Sequence, residues 1–258
     1  MGVGSLTITC TARANFVRFR ALGFRPLKAF SPLTSPTSMN IEFARQQMID
    51  QQVRTWEVLD ANVLDVLRLV HRDQFVPEAF RNVAFADANV PLGHDQWMLA
   101  PKVDGKILQA LAVTATDRIL DVGTGSGYLA ACLGKLGMQV RSVEIFADIA
   151  ERAAASLQSV AANNVSVEVA DALTLNEEDC YDAIAVTGSI PTLGAIEKNS
   201  FARALKVGGR LVLFVGQQPV MLATKITRIG QNEWQSEEVF ETVVPALLNA
   251  KQPTGFVF

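Results

Sequence analysis

The sequence is poor in the residues that form metal centres and disulfide frameworks. Only three of its 258 residues are cysteine and two are histidine. The cysteines, Cys10, Cys132 and Cys180, are odd in number and include no CxxC pair. The histidines, His71 and His94, are far apart in the chain. We therefore expect no bound metal, no disulfide framework and a reducing compartment.

Long apolar runs and an excess of positive charge are also absent. No run approaches the ~18–20 residues that a membrane span needs, so no membrane partner is expected. The formal net charge is −3. Residues 39–258 carry 18 basic and 26 acidic side chains, a net charge of −8. Such a surface lacks the positive patch that binds nucleic acid. These observations favour a cytoplasmic protein.

The basic residues cluster at the start of the chain. Residues 1–38 hold five Arg or Lys, no acid, and many Ser, Thr and Pro. This composition fits a transit peptide, which would make the protein organellar. It fits equally well an artefactual upstream extension with Met39 as the start, which we favour because a helix is predicted directly after it. Either way we expect residues 1–38 to be disordered and residues 39–258 to form one domain.

Alternating apolar segments predict an α/β fold. Helices are expected at 44–53, 61–70 and 103–111, and a loop at 84–96. Strands at 118–122, 139–144, 165–169, 181–187 and 209–216 then alternate with helices at 127–137, 147–161 and 192–205. Segments 222–229 and 234–244 flank a Gly-Gln-Asn turn and predict an antiparallel hairpin. The sequence thus predicts a doubly wound, mostly parallel seven-stranded sheet with an N-terminal helical extension.

A glycine turn after the first of these strands carries most of the functional information. Residues 119–128 read ILDVGTGSGY. Gly123, Gly125 and Gly127 lack Cβ atoms, so backbone N–H groups can approach a ligand closely, and the next helix directs its positive end there. Glu144 ends the second strand, where a carboxylate can accept hydrogen bonds from ribose hydroxyls. Together these residues predict a nucleoside-binding crevice.

The spacing G-x-G-x-G differs from the dinucleotide fingerprint G-x-G-x-x-G. It resembles motif I of S-adenosylmethionine-dependent methyltransferases, which implies that cofactor. After the third strand, the Asp171 carboxylate is placed to accept from the adenine amine, although a helix N-cap or a solvated acid is the competing interpretation. The predicted cofactor-binding residues are Asp121, Gly123, Thr124, Gly125, Gly127, Glu144, Ile145, Asp171 and Ala172.

Several further segments resemble one family. They are Gln52-Val-Arg, Phe75-Val-Pro, Ala84-Phe-Ala-Asp, Pro91-Leu-Gly, YDAIAVT, VGGRLVLFVG and Thr242-Val-Val-Pro. From about Phe43 onward the chain resembles protein-L-isoaspartate O-methyltransferases. The resemblance implies a monomeric repair enzyme that methylates the abnormal α-carboxylate of isoaspartyl proteins or peptides. It also implies that residues 39–112 form a helical substrate-side extension and residues 113–258 the cofactor-binding sheet.

The substrate loop departs from the family pattern G-x-G-Q-T-I-S-x-P. Here residues 93–101 read GHDQWMLAP, with Asp95 for glycine, Trp97 for threonine and Leu99 for serine. An acid that repels a carboxylate and the loss of a hydroxyl donor predict weak repair activity. A small apolar or aromatic metabolite as acceptor, or a non-catalytic cofactor-binding scaffold, therefore stays open. The catalytic residue is unknown; Asp121, Thr187 and Gln96 are candidates that line the site.

Overall fold

A central seven-stranded sheet organises the computed structural model, which describes residues 41–251. The strands are β1 (Val90–Gly93), β2 (Gln96–Met98), β3 (Arg118–Val122), β4 (Gln139–Glu144), β5 (Val165–Val169), β6 (Tyr181–Ile190), β7 (Leu205–Gln217), β8 (Val220–Gly230) and β9 (Glu233–Glu241). β1 and β2 form a separate two-stranded sheet, and the other seven strands form the central sheet in the order β5-β4-β3-β6-β7-β8-β9. The first five of these are parallel, and β8 and β9 are antiparallel. This confirms the predicted fold class, including the C-terminal hairpin.

Both faces of the sheet are buried. Ile119, Ala183 and Ala185 belong to one hydrophobic core, whereas Leu120 and Ile184 belong to the other. Neighbouring residues of one strand therefore point into different cores, as the period of two in a strand requires. This double burial explains why the parallel strands are continuous apolar runs in the sequence.

The helices cover these faces. They are α1 (Ile41–Met48), α2 (Ala61–Leu69), α3 (Pro101–Leu111), α4 (Tyr128–Leu136), α5 (Ala147–Ser159) and α6 (Ser200–Ala204). The α2 helix begins where the Asp60 carboxylate accepts a hydrogen bond from the Val63 N–H, a typical N-cap. After α1 the chain continues as a π-helix, Ile49–Val53, and a 3-10 turn, Arg54–Trp56. None of the helices within residues 41–251 combines the length and apolar character needed to cross a bilayer.

The order of the strands creates the crevice. The chain runs outward from β3 through β4 to β5, then returns to place β6 on the other side of β3. At such a switch point the connections leave in opposite directions, which opens a cleft outside the carboxyl ends of the strands. The glycine turn after β3 and Glu144 at the end of β4 lie at this edge.

The predicted loop at 84–96 is wrong in its second half. β1 and β2 form a separate antiparallel hairpin, with Val90 opposite Met98 and Gly93 opposite Gln96. Its two turn residues, His94 and Asp95, have φ of 53° and 55°, as in the tight turns that match strand twist. Strands this short give no readable alternation in a sequence, and Pro91 and Gly93 are otherwise typical of loops.

The predicted helix at 192–205 is mostly wrong. Only a 3-10 turn, Ile196–Lys198, and the short α6 form there. The Asn199 side chain accepts from the N–H groups of Phe201 and Ala202 and so starts α6 late. Leu205 then pairs with Tyr181 in the sheet, so β7 begins before the predicted 209. Sheet pairing overrides the local helical pattern here. The predictions for residues 1–38 lie outside the described residues.

Candidate active site

The glycine turn connects β3 to α4 through three left-handed positions. Gly123, Gly125 and Gly127 have φ of 88°, 54° and 84°. A side chain would strain the backbone at each. At Gly123 it would also meet the Thr187 hydroxyl, because a Cβ there would lie 2.4 Å from Oγ1. The Gly127 N–H donates to the Thr124 carbonyl at 2.8 Å, which closes the turn and starts α4.

The Glu144 carboxylate is held beside this turn by backbone donors. Its Oε2 accepts from the Gly125 N–H at 3.0 Å. Its Oε1 accepts from the N–H groups of Ile145 at 3.0 Å and Phe146 at 3.2 Å. The residue is nearly buried yet borders the cleft. Fixed donors orient the carboxylate, and Oε2, which accepts only one of the three bonds, can accept another from a ligand hydroxyl.

Asp121 lies beneath the turn. Its Oδ2 accepts from the Ser142 hydroxyl at 2.6 Å, and that hydroxyl contacts the Thr124 hydroxyl at 2.6 Å. Its Oδ1 is buried without a hydrogen-bond partner among the described residues. Burial, with a smaller contribution from the charge of Glu144, raises the pKa of Asp121 to about 7, although the hydrogen bond from Ser142 acts in the opposite direction. Asp121 and Thr124 therefore support the turn from below and are not among the residues that border the cleft.

Asp171 follows β5 and has two partners within the chain. Its Oδ1 accepts from the Leu173 N–H at 2.9 Å, which caps a 3-10 turn. Its Oδ2 accepts from the Asn249 side-chain amide at 2.9 Å. The N-cap interpretation is thus correct, and Asp171 also borders the cleft. A carboxylate oxygen accepts two hydrogen bonds, so both assignments of Asp171 are compatible.

The opposite wall of the cleft comes from the hairpin and from β6. Gln96 and Leu99 border it, and Gln96 donates to the His94 carbonyl at 3.1 Å. The Thr187 hydroxyl lies 3.0 Å from the carbonyls of Val122 and Gly123, to which it donates. Thr187 therefore stabilises the glycine turn and also borders the cleft.

The cleft is also bordered by residues that the sequence interpretation missed. From the predicted set it is bordered by Gln96, Leu99, Gly123, Gly125, Glu144, Ile145, Asp171, Ala172 and Thr187. Leu92 and Trp97, which the sequence analysis named only in family segments, also border it, and the residues it missed include Phe146, Ala170, Leu173, Gly188 and the segment 245–248. That segment reaches the site because Ser189 exchanges backbone hydrogen bonds with Pro245 and Leu247. Pro245 in the tail motif was the one available indication.

A buried arginine joins the extension to the site. The Arg72 guanidinium donates to the Asp104 carboxylate at 2.7 Å, to the Ala84 carbonyl at 2.9 Å and to the Leu99 carbonyl. It also lies 5.0 Å from the centroid of the Tyr128 ring, at the start of α4. Arg72 therefore fixes the backbone of Leu99, which stands at the family's serine position.

Comparison with known proteins assigns the chain to a family. The model of the family described as protein-L-isoaspartate(D-aspartate) O-methyltransferase matches residues 43–247. The chain belongs to this family. Protein-L-isoaspartate O-methyltransferase 2 of Pelobacter propionicus is 36% identical over 210 residues, 81% of this chain and 92% of that protein. A protein-L-isoaspartate O-methyltransferase from Rhodopseudomonas palustris is 34% identical over 206 residues, 79% of this chain and 93% of its own length.

Solved structures confirm the fold. A Plasmodium falciparum protein-L-isoaspartate O-methyltransferase, crystallised with S-adenosyl-L-homocysteine, has a TM-score of 0.67 at 19% identity. The match covers 81% of this chain and 98% of that one. Members of the family are S-adenosylmethionine-dependent O-methyltransferases, so the predicted enzyme class and cofactor are confirmed. Which residues contact the cofactor stays a prediction.

Proposed function

We propose that this enzyme binds S-adenosylmethionine in the cleft and methylates the α-carboxylate of isoaspartyl residues in damaged proteins or peptides. The observation that carries the proposal is the Glu144 carboxylate, held by three backbone N–H groups beside the glycine turn. These residues fit S-adenosylmethionine. An oriented carboxylate suits the ribose hydroxyls, and apolar Ile145 and Ala172 beside Asp171 suit the adenine.

Different residues would bind different parts of the cofactor. Glu144 would bind the ribose, Asp171 the adenine amine, and the backbone around Gly123 and Gly125 the aminoacyl end. Asp121 and Thr124 would act from below by fixing the turn. When bound, the cofactor supplies an electrophilic methyl group on a positively charged sulfur.

The chain then needs to position the acceptor, not to ionise it. A carboxylic acid with a pKa near 4 is already ionised at neutral pH, so no general base is required. Leu92, Trp97 and Leu99 border the cleft with apolar groups, and we infer that they exclude water from the reacting atoms. The Gln96 side-chain amide is the donor nearest in sequence to the loop's missing hydroxyls and would orient the acceptor oxygen.

The decisive assay follows labelled methyl transfer to an isoaspartyl peptide, with the matching aspartyl peptide as control. We expect methylation of the isoaspartyl peptide alone. Running the triple variant Asp95→Gly, Trp97→Thr, Leu99→Ser beside the unmodified protein measures what the loop departures cost in rate. If only compounds from a panel of apolar and aromatic metabolites are methylated, the acceptor assignment is wrong. If nothing is methylated although the cofactor binds, the scaffold hypothesis replaces it.

We further infer that the enzyme acts as a cytoplasmic monomer on protein or peptide acceptors, not on nucleic acid. The net charge of −8 in residues 39–258 supports the last point, because phosphate backbones repel such a surface. Sedimentation of the purified protein at micromolar concentration tests the oligomeric state, with a single species of 28.0 kDa expected.

A further inference from the structure

A second groove continues from the cofactor cleft. It shares Gln96, Trp97, Pro245 and Ala246 with the cleft. Its other side is formed by Ser189 and Pro191 at the end of β6 and by the turn between β7 and β8. An acceptor that presents a carboxylate to the cleft would therefore have its adjoining residues in this groove.

Asp95 is the single charged residue among those that border the groove in the described part of the chain. The other bordering residues are neutral: Gln96, Trp97, Ser189, Pro191, Gly216, Gln217, Gln218, Met221, Val244, Pro245 and Ala246. A lone carboxylate among neutral walls sets the sign of the local potential.

The Asp95 carboxylate has no hydrogen bond or ion pair within residues 41–251. The nearby basic groups are engaged elsewhere. His94 contacts Asp148 at 2.9 Å through Nε2. Arg152 donates to the same Asp148 at 2.8 Å and to the Leu92 carbonyl at 2.8 Å. Within the described residues, the Asp95 carboxylate is therefore available to a group that binds in the groove.

The hairpin turn also holds Asp95 in place. The ring of His94 stacks on that of Phe146 with 4.3 Å between centroids and 13° between planes. This contact and the bond to Asp148 anchor the turn to the start of α5. Asp95, the next residue, borders the groove together with Trp97.

We propose that Asp95 selects acceptors with a Lys or Arg residue next to the isoaspartyl residue. The inference rests on the proposed function. A carboxylate attracts an ammonium or guanidinium group and repels an acidic neighbour, and an adjacent indole adds favourable contact to a cation. The net charge of −8 in residues 39–258 acts in the same direction. The acid that replaces the family's glycine is thus a specificity determinant for the flanking residue.

The test uses isoaspartyl peptides that differ only at the flanking residue, which is Lys, Gln or Glu. We expect the KM for the Lys peptide to be about fivefold below that for the Gln peptide, and the KM for the Glu peptide to be about fivefold above it, which is the scale of a partly exposed ion pair. The kcat should be similar for all three, because the flanking charge does not touch the reacting atoms. At 0.5 M salt the differences should shrink, as expected for screened charges with a Debye length of roughly 4 Å.

Variants separate this effect from a general change in the loop. In Asp95→Asn the KM values should converge, and in Asp95→Lys their order should reverse. Asp65→Asn removes an exposed carboxylate from α2 and should keep the original preference. Equal KM values in the unmodified enzyme, or a Lys preference that persists in Asp95→Asn, would overturn the inference and leave the proposed function intact. Absence of methylation with every peptide would instead remove the proposed function, and this inference with it.

Discussion

At the scale of single residues, two neighbouring carboxylates have opposite environments. Glu144 accepts three backbone hydrogen bonds. Asp121 is fully buried and accepts one, from Ser142. Backbone donors orient the Glu144 carboxylate, whereas burial of Asp121 raises its pKa and favours its neutral form. One acid is therefore suited to binding a ligand and the other to supporting the turn.

Replacing Glu144 by Ala should weaken cofactor binding by about 2 kcal/mol or more, because the ribose hydroxyls lose a charged acceptor. Glu144→Gln keeps the shape and one acceptor and should fall between. Titration calorimetry with S-adenosylmethionine and its demethylated product measures the effect. Thermal unfolding of both variants shows whether the freed backbone donors also loosen the turn. An unchanged affinity in Glu144→Ala would refute the assignment.

The pH dependence of stability should report on Asp121. The folded-state pKa is about 7, raised from 3.8, so between these values the folded state binds more protons than the unfolded state. The free energy of unfolding of the unmodified protein should therefore fall as pH rises, by about 2–3 kcal/mol over the interval from roughly pH 5 to pH 8 from this group alone. The side chain of the Asp121→Asn variant does not titrate. As pH rises, the free energy of unfolding measured in urea should therefore increase for the variant relative to the unmodified protein. Parallel pH curves would contradict the raised pKa.

At the scale of elements, the glycine turn is defined by backbone strain and by a tight contact with β6. Gly123 has φ 88°, and a Cβ there would approach the Thr187 Oγ1 to 2.4 Å. Gly208 has nearly the same φ, 85°, and a Cβ there would have nothing within 4 Å. The two glycines therefore separate the effect of backbone strain from that of the contact.

Gly123→Ala should lower the free energy of unfolding by about 2 kcal/mol or more, since strain and steric overlap add. Gly208→Ala should lower it by about 1 kcal/mol, from strain alone. In the Thr187→Ala background the effect of Gly123→Ala should drop towards that of Gly208→Ala. Urea denaturation of the single and double variants gives the coupling energy. A coupling near zero would mean that the turn shifts away from Thr187 at no cost.

At the scale of the whole molecule, the site depends on parts of the chain that are far apart in sequence. Arg72 joins Asp104, the Leu99 backbone and the ring of Tyr128. It thus ties the N-terminal extension to the helix that follows the glycine turn. Separating the extension from α4 would disturb the contacts of Arg72, and a buried charge without its partner is costly. The extension and the sheet domain are therefore expected to unfold together.

Deleting residues 1–38 should leave the melting temperature and the cofactor affinity essentially unchanged. This segment has no acidic residue and no continuous apolar periodicity, so it lacks a face to bury. Differential scanning calorimetry and cofactor titration on the shortened and full chains test this. A large loss of stability on deletion would show that the segment packs on the domain.

The sequence by itself determined the sheet and the placement of the glycine turn and Glu144 at its edge. Strand β3, the three glycines and Glu144 are close in the chain, and their spacing follows from local geometry that a pattern can express. The family resemblance, which motif I alone would not have given, rested on segments such as Phe75-Val-Pro and is confirmed by the match over residues 43–247.

Only the tertiary structure decided which parts of the chain form the hairpin side of the cleft. The β1–β2 hairpin forms because it packs on the cleft and on α5, not because its seven strand residues favour strands. Segment 245–248 enters the cleft through pairing with Ser189, and Asn249 reaches Asp171 from 78 residues away. The exposed position of Asp95 on the groove also depends on the stacking of His94 on Phe146. Such contacts join residues that no local pattern relates, so they exist only once the sheet has brought its edges together.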